Sequence, residues 1–207
     1  MSRIIAGMAK GKTLRAPKGD ATRPTTDRLR EALFSTLAAW VGVSALTGST
    51  AEQLDGLSFL DLYAGSGAVG LEAASRGAGP VTLVESNAAT ARLIRDNAAS
   101  TNLQANVVVG SVERFLAATS TVPGYDVVFL DPPYEVSNET ITEVVTSICA
   151  HGWLAREGLV VVERSGRTPP PVWPDGLSVP DVKRYGESVV FLLEEADAGA
   201  GTKGELK

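Results

Sequence analysis

Asp61-Leu-Tyr-Ala-Gly65-Ser-Gly67-Ala-Val-Gly70 is the stretch that decides the fold. It contains the spacing G-x-G-x-x-G, between an apolar run at 57–63 that predicts a strand and a pattern at 69–76 that predicts a helix. Glycines let the backbone come close to a ligand, and the start of the helix offers N–H groups to that ligand. The stretch therefore predicts the cofactor loop of an α/β protein.

The chain after this loop alternates between apolar runs and helical patterns. Strands are predicted at 81–85, 106–109, 125–130 and 159–162, and helices at 87–101, at 112–118 and around the apolar stripe Ile141, Val144, Val145 and Ile148. Apolar strands separated by helices are typical of a parallel sheet that is covered on both faces. Two last strands, at 179–184 and 188–194, have only Tyr185-Gly-Glu187 between them, which predicts an antiparallel hairpin at the sheet edge.

Asp61 lies directly before the glycine loop, and its charge helps to distinguish between possible cofactors. Its carboxylate would repel the pyrophosphate of a dinucleotide, whereas the ammonium and sulfonium of S-adenosylmethionine would favour an acid there. Glu85, at the end of the next strand, is placed to accept hydrogen bonds from ribose hydroxyls with either cofactor. A dehydrogenase is the alternative, and Ser111 is equally well explained as a turn residue. The residues predicted to bind S-adenosylmethionine are Asp61, Ala64, Gly65, Ser66, Gly67, Glu85, Ser111 and Val112.

Asp131-Pro132-Pro133-Tyr134 follows the predicted strand at 125–130 and favours S-adenosylmethionine over a dinucleotide. Two prolines remove two N–H donors and stiffen the backbone, so that carbonyl oxygens and the Asp131 carboxylate form an acceptor surface. When Asp131 and the Pro132 carbonyl accept the hydrogens of an exocyclic base amine, its lone pair can face a methyl donor. Tyr134 can stack on a base flipped out of its helix. We therefore predict that Asp131, Pro132, Pro133 and Tyr134 form the catalytic motif of an amino-methyltransferase.

The first 30 residues differ from the rest of the chain in charge. They hold eight basic and two acidic residues, a net +6 in a chain of net −5, so the remainder carries −11. Two short strands around a Gly/Lys-rich turn are predicted here, followed by a helix that Thr25 and Thr26 cap and that ends near Trp40. A solvated tail is one interpretation, and a nucleic-acid-binding arm is the other. The residues predicted to contact phosphates are Arg3, Lys10, Lys12, Arg15, Arg23 and Arg28.

Composition excludes several classes of protein. Cys149 is the single cysteine and His151 the single histidine, so an internal disulfide framework and most zinc sites are excluded. The sequence shows no signal peptide and no apolar run long enough to span a membrane. We expect a soluble, cytoplasmic monomer without a metal.

The sequence resembles the bacterial small-subunit (16S) ribosomal RNA guanine-N2 methyltransferase family from about Arg3 to Leu193. The stretches that carry the resemblance are Arg3-Ile-Ile-Ala-Gly7, Gly11-Lys-Thr-Leu14, Arg23-Pro-Thr-Thr-Asp-Arg28, the glycine loop and the motif Asp131–Tyr134. The resemblance implies a Rossmann-like class I methyltransferase fold: a mostly parallel seven-stranded sheet with helices on both faces and a small N-terminal hairpin and helix extension. The domains expected are the basic RNA-binding extension at 1–43, the methyltransferase domain at 57–195 and a disordered tail at 196–207.

The same resemblance implies a reaction and a substrate. The reaction is methylation of a guanine 2-amino group, and the substrate is ribosomal RNA in an assembled or partly assembled small subunit. It also implies that Asp131 and Tyr134 are catalytic or hold the base, and that Asp61, Gly65, Gly67 and Glu85 hold the cofactor.

Two alternatives remain open at this stage. Adenine N6 and cytosine N4 amines suit the same acceptor surface, so the protein could be a DNA amino-methyltransferase, although little chain is left to read a major groove. A non-catalytic RNA-binding assembly factor is the second alternative, and the intact Asp131, Pro132 and Tyr134 argue against it.

Overall fold

The structure is a computed structural model that describes residues 2–17, 27–42, 53–120 and 123–196. Its strands, in chain order, are β1 (Ser2–Arg3), β2 (Thr13–Leu14), β3 (Phe59–Leu62), β4 (Val81–Glu85), β5 (Asn106–Val109), β6 (Tyr125–Leu130), β7 (Leu154–Ser165), β8 (Leu177–Tyr185) and β9 (Ser188–Glu195). Its helices are α1 (Asp27–Trp40), α2 (Ala68–Ser75), α3 (Ala88–Thr101), α4 (Val112–Leu116) and α5 (Asn138–Ala150).

Seven of these strands form one sheet, in the order β5-β4-β3-β6-β7-β9-β8. The first five are parallel, while β9 runs antiparallel to both β7 and β8. The chain runs outward from β3 to β5 and then returns to β6 on the other side of β3. The crevice at this reversal, outside the carboxyl ends of β3 and β6, is where open α/β sheets bind their ligands.

Helices cover both faces of the sheet because its central strands are apolar on both sides. On one face, Phe59, Phe129 and Val161 pack in a core cluster that includes residues of α1, α2 and α3. On the other face, Leu62 and Val160 pack in a second cluster with residues of α4 and α5. Burial of each such side chain stabilises the fold by about 1.5–3 kcal/mol, which outweighs helix propensity as the reason for this arrangement.

The predicted elements agree with the structure in type, and their boundaries differ in explicable ways. β7 begins five residues before the predicted strand at 159–162, since Leu154 already pairs with Tyr125 ahead of an irregularity in the register. Glu157 within it has a φ of +64°, so the alternation expected of a strand is broken there. The helix predicted at 112–118 ends at Leu116. The proposed cap at Thr25 and Thr26 and residues 197–207 of the proposed tail at 196–207 lie outside the described residues, while the N–H of Ala196 donates a 2.9 Å bond to the carbonyl of Gly176.

The N-terminal hairpin is bound closely to the body of the protein. β1 and β2 pair antiparallel, and Ile4 and Leu14 are buried in the same cluster as the α1 side of the sheet. The buried carboxylate of Glu72 accepts hydrogen bonds from the backbone N–H groups of Ile5 (2.7 Å) and Ala6 (2.9 Å), and also pairs with Arg76. These bonds fix the basic residues of the hairpin relative to α2. None of the helices described here is long and apolar enough to cross a membrane.

Candidate active site

The predicted cofactor and catalytic motifs meet at one edge of the sheet. In the register, Leu62 lies beside Val84 on one side and beside Leu130 on the other. The residues that follow these positions, Tyr63, Glu85 and Asp131, are therefore neighbours at the carboxyl ends of three adjacent parallel strands. The fold thus brings together two motifs that lie far apart in the sequence.

The glycine loop turns from β3 into α2 with little space to spare. Gly67 has a φ of +77°, and a Cβ added there would lie 2.8 Å from Cγ2 of Ile94. A Cβ added at Gly70 would lie 2.8 Å from Cδ2 of Leu83. Both distances are shorter than real Cβ contacts, so the close packing of the loop on α3 and β4 requires glycine at these two positions.

Asp61 is buried below the loop, at 2% exposure. Its Oδ2 accepts a hydrogen bond of 2.8 Å from the backbone N–H of Gly70. Burial raises the pKa of Asp61 to about 8, against the lowering effect of the Gly70 bond, and the nearby carboxylates of Asp131 and Glu85 raise it further. A buried acid in this state is neutral at pH 7 and would ionise readily beside a cation.

Glu85 holds the other side of the loop. One carboxylate oxygen accepts a hydrogen bond from the N–H of Gly65 (2.9 Å), and the other accepts one from the N–H of Asn87 (2.7 Å). Asn87 in turn caps α3 by accepting bonds from Ala89 and Thr90. Oε1 also accepts a 3.4 Å bond from the hydroxyl of Ser86, so Oε2 is the oxygen that can still accept a hydroxyl hydrogen from a ligand.

The remaining predicted cofactor residues have structural partners of their own. Ala64 is buried and donates its N–H to Val84, while the carbonyl oxygen of Ser66 accepts a hydrogen bond from Asn97. Ser111 caps α4 through a 3.2 Å bond from the N–H of Arg114. The side chain of Val112 is buried in the cluster that contains α4 and α5. For Ser111 and Val112, contacts to a cofactor would therefore come mainly from the backbone.

The segment after β6 places an acid, two prolines and an exposed ring in succession. Asp131 is half-buried, Pro132 is buried, and Tyr134 is 64% exposed. The carbonyl oxygen of Pro133 accepts a 3.0 Å bond from the N–H of Val136 and so closes a turn. No residue in the described ranges donates a backbone hydrogen bond to the Pro132 carbonyl. The Pro133 carbonyl oxygen is thus used within the turn, so of the two prolines only Pro132 offers its carbonyl to the predicted acceptor surface.

The predicted phosphate contacts differ in how they are held. Lys10, Lys12, Arg15 and Arg28 are exposed, and Nζ of Lys12 also donates a 2.7 Å bond to the carbonyl of Thr101. Arg3 is also exposed and lies 3.7 Å from the carboxylate of Asp27. A cavity of about 300 Å³ lies between the hairpin and the start of α1, with Arg3, Lys10 and Arg28 in its wall. Arg23 lies outside the described residues.

The comparisons with known proteins agree with this architecture. The family described as conserved hypothetical protein 95 matches residues 2–194. The chain belongs to this family. Ribosomal RNA small subunit methyltransferase D of Escherichia coli (strain K12) is 36% identical to it over 197 residues, which are 95% of this chain and 90% of that protein.

Solved structures of similar proteins extend the agreement to the fold. The yhhF protein from Escherichia coli superposes with a TM-score of 0.77 at 33% identity, over 93% of this chain and 97% of that one. A hypothetical protein of Thermus thermophilus gives a TM-score of 0.75 at 33% identity, over 94% and 99%. The predicted Rossmann-like class I methyltransferase fold, with its mostly parallel seven-stranded sheet, is confirmed, as is the resemblance to the small-subunit methyltransferase family.

Three polar residues at or near the site of this family member could not be singled out from the sequence. Asn97, Glu72 and Arg164 are each buried, and each bonds to backbone far away in the sequence or in another element. Asn97 and Glu72 did leave a signal, because each is a polar residue on an otherwise apolar helix face. Within residues 2–17, 27–42, 53–120 and 123–196, no group of three or more His, Cys, Asp or Glu side chains is arranged to hold a metal.

Proposed function

We propose that the protein transfers a methyl group from S-adenosylmethionine to the exocyclic N2 amino group of a guanine in small-subunit ribosomal RNA. The observation that carries this proposal is the juxtaposition, at neighbouring strand ends, of the loop with Asp61 and Glu85 and the motif Asp131–Tyr134. Membership of a family whose Escherichia coli relative is named a ribosomal RNA small subunit methyltransferase supports the choice of substrate.

The residues present fit the cofactor. S-adenosylmethionine supplies an electrophilic methyl group on a sulfonium. The loop from Ala64 to Gly67 lets the backbone approach the ligand, and Glu85 accepts hydrogen bonds from the ribose. Asp61, kept neutral by burial while no cation is near, becomes the anion that balances the positive charges of the cofactor. Ser111 and Val112 contribute backbone groups at the start of α4.

Asp131 and Pro132 prepare the acceptor amine. The Asp131 carboxylate and the Pro132 carbonyl oxygen accept its two hydrogens, which turns the nitrogen lone pair toward the methyl group. Bound S-adenosylmethionine would supply the methyl group and keep the electron pair of the broken S–C bond, and Asp131 is placed to accept the proton that the methylated nitrogen would lose. Pro133 fixes the turn, and the exposed ring of Tyr134 stacks on the flipped base.

The basic hairpin supplies contacts to the RNA backbone. Lys10, Arg15 and Arg28 are exposed cations fixed to the catalytic body, so they position the phosphates and leave base recognition to the site itself. The protein acts as a monomer on an assembled or partly assembled small subunit, with Arg3, Lys12 and Arg23 adding to the same contacts.

Transfer of a labelled methyl group tests the proposal. The acceptors are unmodified small subunits, naked ribosomal RNA and genomic DNA, and Asp131→Ala is compared with Asp175→Ala, an exposed acid in the turn before β8. We expect label in subunits or ribosomal RNA, a loss of at least about 100-fold in Asp131→Ala, and full activity in Asp175→Ala. Label in DNA alone would refute the RNA substrate, and no transfer to any acceptor would indicate a non-catalytic assembly factor.

A further inference from the structure

Arg164 lies at the carboxyl end of β7, next to the strand that ends in the catalytic motif. Leu130 on β6 pairs with Val162 on β7. Asp131, the residue after Leu130, therefore lies level with the residue after Val162, and Arg164 lies one position further along β7. Only 8% of Arg164 is exposed, although a guanidinium is strongly hydrated in water. A cation is buried only where charges and hydrogen bonds compensate it, so its partners reveal its role.

The hydrogen bonds of Arg164 run to the segment that follows the catalytic motif. Its Nη2 donates to the carbonyl oxygen of Val136 (2.9 Å) and to Oδ1 of Asn138 (3.2 Å). Val136 is the residue whose N–H closes the turn on Pro133. The turn that carries Tyr134 is therefore closed from within by Pro133 and fixed from outside by Arg164.

Asn138 extends this network to the proline-rich segment. While its Oδ1 accepts from Arg164, its Nδ2 donates a 2.9 Å bond to the carbonyl oxygen of Pro169. Thr142, one turn later on α5, donates a 2.7 Å bond to the carbonyl oxygen of Val172. The start of α5 thus holds both the catalytic turn and the segment beside it.

The charges around Arg164 point to Asp131. Burial lowers the pKa of Arg164, and the Asp131 carboxylate opposes that effect by favouring the charged guanidinium. Asp61 in turn lies near both Asp131 and Glu85, whose carboxylates raise its pKa. A fixed cation at this position stabilises the charged carboxylate of Asp131.

We propose that Arg164 is a positioning residue for methyl transfer, which fixes the turn from Asp131 to Asn138 and places a permanent positive charge beside the Asp131 carboxylate. This inference rests on the proposed function, because Asp131 is the group through which Arg164 acts. It assigns Arg164 an effect on the rate of the chemical step and none on cofactor binding.

Steady-state kinetics of Arg164→Met test the assignment. We expect kcat to fall by roughly 10- to 100-fold while the Kd for S-adenosylmethionine changes less than about twofold, because misplacing a reacting group lowers the rate without removing ligand contacts. Arg164→Lys keeps the positive charge but lacks the rigid guanidinium whose Nη2 donates both bonds, and it recovers part of the activity that Arg164→Met loses. The matched control is Arg167→Met, which should keep full activity. Arg167 is an exposed arginine in the turn after β7, and it pairs with Glu187.

A double-mutant cycle with Asp131→Asn separates positioning from simple stabilisation. If Arg164 acts through Asp131, Arg164→Met lowers kcat by less than about threefold once Asp131 has been replaced. Independent, multiplicative losses would overturn the proposal, as would a kcat within threefold of wild type in Arg164→Met. Should Arg164→Met not fold, Asn138→Ala removes one of the two bonds and must lower kcat in the same way.

The activities of Asp131→Asn and Arg164→Met distinguish an error in the role of Arg164 from an error in the proposed function. Full activity in Asp131→Asn would refute the catalytic motif itself. A reduced but measurable kcat in Asp131→Asn together with a fully active Arg164→Met would refute only the role of Arg164.

Discussion

The side-chain amide of Asn97 donates a 3.1 Å hydrogen bond to the carbonyl oxygen of Ser66 in the glycine loop. The same amide nitrogen donates to the carbonyl of Arg15 (3.0 Å), and the amide oxygen accepts from the N–H of Arg15 (2.9 Å). Asn97 is 1% exposed and lies on the apolar face of α3. One side chain therefore joins the predicted cofactor loop to the basic segment at the N-terminus.

Replacement of Asn97 by Ala is expected to lower both the stability of the protein and its affinity for S-adenosylmethionine. Three buried or half-buried backbone groups lose their partner, so the free energy of unfolding should fall by about 3 kcal/mol. Affinity for S-adenosylmethionine should fall roughly tenfold because the loop is no longer held in its binding conformation. Thermal unfolding and calorimetry measure the two effects. Asp96→Ala, at the exposed neighbour on the same helix, is the control, and equal behaviour of the two variants would contradict the account.

Gly7 and Gly11 form a matched pair for testing how the hairpin is attached. Their φ angles are +82° and +84°, so alanine is equally strained at both, by about 1–2 kcal/mol. A Cβ at Gly7 would lie 1.8 Å from the carbonyl oxygen of Ser75, whereas a Cβ at Gly11 meets no atom within 4 Å. Gly7→Ala should therefore displace the hairpin, destabilise the protein by about 3 kcal/mol more than Gly11→Ala, and weaken RNA binding. Indistinguishable unfolding curves would show that the hairpin is not packed on α2.

Asp61 makes cofactor binding dependent on pH. Its pKa of about 8 means that the free protein holds a proton at pH 6 to 8, and a cationic ligand expels that proton on binding. Affinity should rise with pH in this window, by up to about tenfold per unit, and level off above pH 8. The ligand titrates in the same way with the wild-type protein and with Asp61→Asn. The ratio of their affinities therefore isolates the contribution of Asp61 to the pH dependence. A ratio that does not change with pH would contradict it.

The raised pKa of Asp61 also makes the stability of the free protein depend on pH. The native state holds the Asp61 proton up to about pH 8, whereas the unfolded chain releases it in the ordinary carboxyl range. The contribution of Asp61 to stability is therefore present at low pH and is lost as the pH rises toward 8. Asp61→Asn should remove this part of the pH dependence in denaturant titrations.

Neutralising two exposed cations of the hairpin should weaken RNA binding and reduce its dependence on salt. In Lys10→Met/Arg15→Met, the slope of log K against log salt should decrease by about 1.5, because roughly 0.7–0.9 counterions are released for each phosphate contact. Filter binding at several salt concentrations measures the slope. The control is Arg156→Met/Lys183→Met, which removes two cations elsewhere on the sheet. An unchanged slope in the hairpin variant would refute the assignment.

Local patterns were sufficient to predict most of the fold and the positions of the motifs. The glycine loop, the helix that starts near Asn87 and the motif at Asp131 depend on residues close together in the sequence, and the structure has each in the expected type of element. The start of β7 was missed because Arg156 and Glu157 are polar and Glu157 is left-handed, which interrupts the apolar run.

Residues whose role depends on distant contacts could not be predicted in the same way. Asn97 bonds to Arg15, 82 residues away, and Glu72 bonds to Ala6, 66 residues away. A polar residue on an apolar helix stripe indicates that it has a buried hydrogen-bond partner. The sequence does not show which residue that partner is. Arg164 ends an apolar strand as many surface arginines do, and only the packing of α5 shows that it is buried.

The identity of the methylated nucleoside decides whether the protein methylates a guanine 2-amino group in small-subunit ribosomal RNA. Unmodified small subunits would be incubated with the protein and methyl-labelled S-adenosylmethionine, digested to nucleosides and analysed by mass spectrometry. Transfer to the guanine 2-amino group gives N2-methylguanosine as the labelled product, which should be absent with the Asp131→Ala variant. Label in a methylated adenosine or cytidine, or on a ribose, would contradict the proposed guanine specificity.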